Sequence, residues 1–159
     1  MKKSIYSIVL LVLAMILASC GASQKVVDNR SVKEKIESQR YKFIANYAIP
    51  TSAGFQPRYL TSEYDLKVTP DTITAYLPYF GRAYEAPLNS SEGGIKFTST
   101  KFEYVINTGK KPGNWIINIR IKDQLREILL TLDVWNNGKG DLNVWDQNRQ
   151  PILFQGELE

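Results

Sequence analysis

From Tyr41 to the C-terminus the apolar residues recur at every second position, and no helical period returns. A period of two puts alternate side chains on opposite faces of an extended strand, so this stretch can bury one face only as β-structure. Tyr41, Phe43, Ala45, Tyr47 and Ile49 alternate with Lys42, Ile44, Asn46 and Ala48, and Tyr64, Leu66 and Val68 alternate with Glu63, Asp65, Lys67 and Thr69. Trp115, Ile117, Ile119 and Ile121 oppose Asn118, Arg120 and Lys122, while Ile128, Leu130, Leu132 and Val134 oppose Glu127, Thr131 and Asp133. Between them lie Ile95 and Phe97, then Phe102, Tyr104 and Ile106 after a bend near Ser99-Thr100, and the chain ends with Leu142, Val144 and Pro151–Gly156.

Turn residues punctuate these runs. Pro70-Asp71 sends the chain back through Thr72–Leu77, and Lys110-Lys111-Pro112-Gly113 and Gln147-Asn148 make further turns. Asn136-Asn137-Gly138 reads as a hairpin, with Asn-Gly tolerating positive φ at both central positions. Ahead of the strands, Ser31-Val32-Lys33-Glu34 matches a capping box and predicts a short helix over Ser31–Arg40, with Val32, Ile36 and Gln39 on the face that packs on the domain edge. Eight to ten short strands in sequence predict an all-β antiparallel meander. A meander that long leaves edges that invite aggregation unless it curls. The expected fold is a lipocalin-like barrel or half-barrel with one short N-terminal helix, and a sandwich is the alternative.

The N-terminus carries a different signal. Lys2 and Lys3 precede an apolar run from Ile5 to Ile16 and then Leu17-Ala18-Ser19-Cys20. The run is about 12 residues, short of the roughly 20 that span a bilayer, and the basic start and small residues are those of an export signal. Cys20, the one cysteine in 159 residues, stands where a lipobox places its lipid-bearing residue. The similarity implies cleavage before Cys20 and acylation there, with residues 1–19 a signal peptide, 20–30 a lipidated tether and 31–159 a single domain. Palmitate-length chains on one residue anchor through roughly 0.8 kcal/mol per buried methylene. Gly21 is not the aspartate that retains some lipoproteins at the inner membrane, which points to the outer membrane, facing the periplasm.

Losing Lys2 and Lys3 takes the formal charge from +4 to +2, and no block of like charge argues for nucleic acid. With no second cysteine there is no internal disulfide. The absence of histidine removes Ser-His-Asp, Cys-His and histidine-metal chemistry, lipid on Cys20 removes the thiol nucleophile, and no phosphate-binding glycine loop occurs. Glycoside hydrolysis needs only two carboxylates, but nothing in the spacing of Glu85, Glu92, Glu103 and Asp133 selects a pair. The sequence therefore reads as a non-enzyme with no cofactor and no metal.

The unusual segment is Tyr76-Leu77-Pro78-Tyr79-Phe80-Gly81-Arg82-Ala83-Tyr84-Glu85-Ala86-Pro87. Rigid rings with polar tips beside a planar cation are the residues of binding surfaces, and a guanidinium can hold a carboxylate or phosphate in bidentate fashion. Tyr79, Phe80, Arg82 and Tyr84 are thus candidate ligand contacts, or else the aromatics plug one end of the barrel. Both readings stand at this stage. Leu77-Pro78-Tyr79-Phe80-Gly81-Arg82-Ala83-Tyr84 resembles the signature of the domain of unknown function 4251 family, small bacterial lipoproteins. Around it, Phe43 to Pro50, Tyr64-Asp65-Leu66-Lys67-Val68, Gly94-Ile95-Lys96-Phe97 and Gln155-Gly156 stand in similar order. The resemblance implies an anchored β domain and defines no catalytic residues.

Asp71-Thr72-Ile73 is similar to an O-glycosylation acceptor of some bacteria, making Thr72 a candidate modification site, and it is equally an ordinary turn. Trp115 shares its face with three isoleucines and is expected in the core. Trp135 and Trp145 flank the 136–140 turn and are expected to touch across the strands. The functional expectation is a lipid-anchored envelope protein that binds an unknown small ligand or envelope protein. A structural or assembly protein acting through a protein partner is the alternative.

Overall fold

The computed structural model describes residues 31–51, 53–84 and 93–159. The segments read as signal peptide and tether, with Cys20, and the residues Glu85 and Glu92 lie outside the described residues. Helix α1 (Val32–Glu37) is followed by β1 (Tyr41–Pro50), β2 (Arg58–Val68), β3 (Ile73–Leu77), β4 (Ile95–Ser99) and β5 (Phe102–Thr108). Then come β6 (Asn114–Ile121), β7 (Ile128–Trp135), β8 (Lys139–Asp146) and β9 (Arg149–Leu158). The nine described strands form one sheet in the order β4-β3-β2-β1-β9-β8-β7-β6-β5, a nearly closed antiparallel barrel in which β1 pairs with β9. A two-sheet sandwich does not form.

Every neighbouring pair in that order is antiparallel, so strand direction alternates along it and the two terminal strands, β4 and β5, run the same way. They are consecutive in sequence, so β4 and β5 are one passage of chain bent at 100–101. The first half pairs with β3 and the second with β6, which brings the two sheet edges together. Asp123 holds the corner: its carboxylate accepts from the Ser99 hydroxyl at 2.6 Å, from the Thr100 amide at 2.8 Å and from the Lys101 amide at 3.2 Å. These bonds, the Ser99 hydroxyl first, hold the Asp123 carboxyl below the usual carboxylate range.

The inward stripes of the alternating strands fill the barrel. Phe43, Leu66, Ile73, Leu77, Ile117, Leu130, Leu142 and Phe154 are all fully buried. β1 departs from strict alternation. Ala45 pairs with Gly156 and Tyr47 with Gln155, so Asn46 is an extra residue, a bulge. The bulge reverses the parity beyond it, so Ala48 and Pro50 face inward where Tyr47 and Ile49 were expected, and the Tyr47 ring instead meets Tyr59 edge-on at 4.8 Å. The hairpin at Asn136-Asn137-Gly138 also differs from expectation: only Gly138 has positive φ, at 82°, and its amide donates to the Trp135 carbonyl at 2.9 Å.

The capping box forms as predicted, with Ser31 and Glu34 each accepting the other's amide. The helix stops at Glu37 rather than Arg40, because Gln39 takes a left-handed φ of 52° and the Arg40 amide turns back to the Lys35 carbonyl at 3.1 Å. α1 does more than pack on an edge. Ile36 is fully buried in the core, and its carbonyl accepts from the Tyr104 hydroxyl at 3.0 Å. With that proton committed, the Tyr41 hydroxyl donates to Tyr104 at 3.2 Å.

Burial raises both phenols, Tyr41 well above its usual value and Tyr104 to about 12. A phenol whose folded value is raised contributes stability that is complete below its unfolded value of ~10 and is lost as pH climbs through the folded one. Stability is therefore expected to fall as pH rises above ~10 and through the Tyr104 value of about 12, with Tyr41 and Tyr104 ionising only as the barrel opens. Absorbance at 295 nm on Tyr→Phe variants at each position checks this. Ionisation of either phenol near pH 10 with the far-ultraviolet signal intact contradicts it.

Candidate functional site

The chain bearing Tyr79, Phe80, Arg82 and Tyr84 leaves β3 at Leu77, where Pro78 supplies no amide for the ladder. It crosses the end of the barrel where β8 turns into β9. There it makes a short pairing of its own: Ala83 bridges Arg149, the Gln150 amide donates to the Arg82 carbonyl at 3.1 Å, and the Tyr84 amide donates to the Asn148 carbonyl at 2.8 Å. Tyr79 folds back beneath this pairing. Its hydroxyl proton is shared between the carbonyls of Arg82 at 2.8 Å and Gln150 at 3.1 Å. The fold-back requires Gly81, because a Cβ there would lie 2.7 Å from the Tyr79 hydroxyl oxygen.

A buried ionic group supports the loop from below. The Arg149 guanidinium lies 5.1 Å from the centre of the Tyr79 ring and donates to the Gly94 carbonyl at 2.7 Å. Asp146, only 2% exposed, accepts from Arg126 Nε and lies 3.8 Å from Arg149 Nε, and its other oxygen accepts the Asn148 amide at 3.0 Å. Arg58 covers the Phe80 ring at 4.9 Å. Tyr79 and Phe80 are thus half-buried and packed on the core, whereas Arg82 and Tyr84 face solvent, Tyr84 being 63% exposed. The four residues divide into two that fasten the loop and two that it holds out. Among the described residues nothing pairs with the Arg82 guanidinium.

The family model described as Domain of unknown function (DUF4251) matches residues 24–158. The chain belongs to this family. No curated protein matches it.

Sequence reasoning missed Arg126, Asp146 and Arg149, although this DUF4251 domain carries one visible sign of them. Leu142, Val144 and Asp146 share the inward parity of β8, and a carboxylate at an inward position must find cations. Glu103 and Asp133, the two carboxylates weighed from the sequence that are described, sit on different strands with different partners. Glu103 is on the outer face of β5, bonded to Lys122 and near Arg120, and Asp133, on β7, accepts from Asn114 Nδ2. No group of three or more potential metal-ligating side chains gathers among the described residues.

Thr72 of the DUF4251 domain closes the β2–β3 turn, where its amide donates to the Thr69 hydroxyl at 2.9 Å. Trp115 is packed against the core as expected. Trp135 and Trp145 do not touch across the hairpin. Val134 pairs with Gly140 and Leu129 with Trp145, so the tight turn sets the two tryptophans at opposite ends of the β7–β8 ladder.

Proposed function

We propose that this DUF4251 protein is a non-catalytic binding protein of the cell envelope, lipid-anchored at Cys20 after loss of its signal peptide, and facing the periplasm from the outer membrane. Arg82 and Tyr84 are its contact residues, for an anionic ligand whose carboxylate or phosphate meets the guanidinium while the phenol ring packs alongside. The observation that carries this reading is the division of labour in the loop: Tyr79 and Arg149 fix the backbone, and the side chains of Arg82 and Tyr84 stand in water. A preorganised cation and ring lose little freedom on binding.

The test is a thermal-shift screen of sugar acids, dicarboxylates and phosphorylated sugars on the full chain and on Arg82→Ala. The expected result is a hit whose shift disappears in the variant while the unliganded melting temperature stays put. A hit that survives Arg82→Ala contradicts the assignment.

A second reading, an envelope assembly protein acting through a protein partner, is favoured by Phe55 and Tyr59 at the same end of the barrel, 40% and 83% exposed. Exposed aromatics are the usual anchors of protein interfaces. Crosslinking in intact cells separates the two, since a stoichiometric protein partner at Tyr59 supports the assembly role.

A further inference from the structure

Among the described residues, the bent passage β4–β5 leaves one side of each half without a strand neighbour, and the two edges are treated differently. In β4 the ladder to β3 leaves residues 94, 96 and 98 directed outward, and two of their carbonyls are occupied by side chains: Gly94 by Arg149 at 2.7 Å and Thr98 by Gln124 at 3.4 Å. Lys96 adds a charge to that edge. Lysine and capped carbonyls are how natural sheets block further pairing.

Among the described residues, β5 has no such protection. The Lys122 amide donates to the Lys101 carbonyl and the Gly109 amide to the Asn114 carbonyl, both at 2.8 Å. Odd-numbered residues therefore face β6, and the amides and carbonyls of Phe102, Tyr104, Ile106 and Thr108 face the free side. Among the described residues no backbone or side-chain group bonds to them there. The strand from Tyr104 to Thr108 carries no charge, no proline and no bulge. Val105 and Ile106 are 51% and 37% exposed, and an open concavity of about 440 Å³ lies beside Phe102 and Tyr104.

We infer that β5 pairs with β5 of a second copy of this chain, antiparallel about a two-fold axis at Val105. The sequence is self-complementary in that one register. Phe102 then faces Thr108 and Tyr104 faces Ile106, so the outward-directed amides and carbonyls of β5 all find partners. Glu103 faces Asn107 rather than another acid, and its own charge is already met by Lys122 and Arg120. Val105 faces Val105 as a non-hydrogen-bonded pair with Cα atoms ~4.5 Å apart, a separation within the range of a disulfide. The two barrels become one continuous sheet across the interface, with the inner faces on the same side.

The test uses Val105→Cys in the full chain, oxidised in intact cells and run on a non-reducing gel. Cys20 is the one native cysteine, so the unsubstituted chain sets the background. Val105 lies on the outer face and is half exposed, and the variant is expected to melt as the parent does. The expected result is a dimer band for Val105→Cys that is absent from Lys96→Cys on the β4 edge. It should also be lost when Ile106→Pro is added, a change that removes a free-side amide and leaves the β6 ladder intact. A folded Val105→Cys that stays monomeric, or equal crosslinking through Lys96→Cys, overturns the inference.

Discussion

Replacing Gly156 with alanine destabilises the barrel by about 3 kcal/mol, at the upper end for overpacking, because the added methyl has nowhere to go. Its Cβ would lie 1.9 Å from the Ile44 carbonyl oxygen, and 2.9 Å from both the Ile44 carbonyl carbon and Phe43 Cζ. Two of those atoms are backbone, and Phe43 is fully buried, so none can swing aside. Gly156 sits where β9 pairs with Ala45 of β1, beside the bulge, and with Gly140 of β8. Relief requires β1 and β9 to separate, which opens the ladder that closes the barrel. Urea unfolding checks this, with Gly93→Ala as the control, since a Cβ there meets nothing within 4 Å. A chain of this size is stable by only ~5–15 kcal/mol, so the midpoint should fall visibly for Gly156→Ala and hold for Gly93→Ala. Equal midpoints contradict the packing described.

Asp146→Ala is expected to cost about 3–5 kcal/mol, the range for breaking a buried ion pair from one side. The carboxylate is 2% exposed and Arg149 is 8% exposed, so alanine takes the Asp146 charge away from a desolvated guanidinium. Arg126, whose side chain is 34% exposed, can turn toward water and contributes less. The Asn148 amide also loses its acceptor, and Asn148 is the residue whose carbonyl receives the Tyr84 amide. The loss therefore spreads to the loop, and the amides of Tyr84 and Gln150 should exchange faster with solvent. Removing both charges, as Asp146→Leu with Arg149→Met, should recover much of the stability, because a buried pair can be replaced by apolar residues at little cost. Hydrogen exchange and denaturant midpoints on the three variants check it. A double variant less stable than Asp146→Ala contradicts the ion-pair explanation.

Most of the barrel could be read from alternation. Trp115 to Ile121 and Ile128 to Val134 have their faces as read from the sequence, because the two strands pair without a bulge from Asn114 to Ile121. The bulge at Asn46 could not be read. It depends on how β1 meets β9, more than a hundred residues away, and nothing local to Ile44-Ala45-Asn46-Tyr47 marks it. The same dependence on distant pairing hid the role of the bend. Ser99-Thr100 was legible as a break, but whether the chain reverses there or continues is decided by Asp123 on another connection. Within the candidate site, Pro78, Gly81 and the aromatics drew attention to the right segment. Which of them face water could not be read, since that rests on Arg149 and Gln150 beneath the loop. The misplacement of Trp135 and Trp145 is of another kind: counting outward from the 136–138 turn gives their partners directly.

The functional reading depends on Arg82 and Tyr84 serving no structural purpose, and the unfolding free energy of an Arg82→Ala/Tyr84→Ala double variant measures that directly. A value within about 0.5 kcal/mol of the parent is predicted, as for surface side chains that hold nothing together. A loss of about 2 kcal/mol or more, the scale of a core or network residue, would mean that the two side chains plug the barrel and are not held out for a ligand.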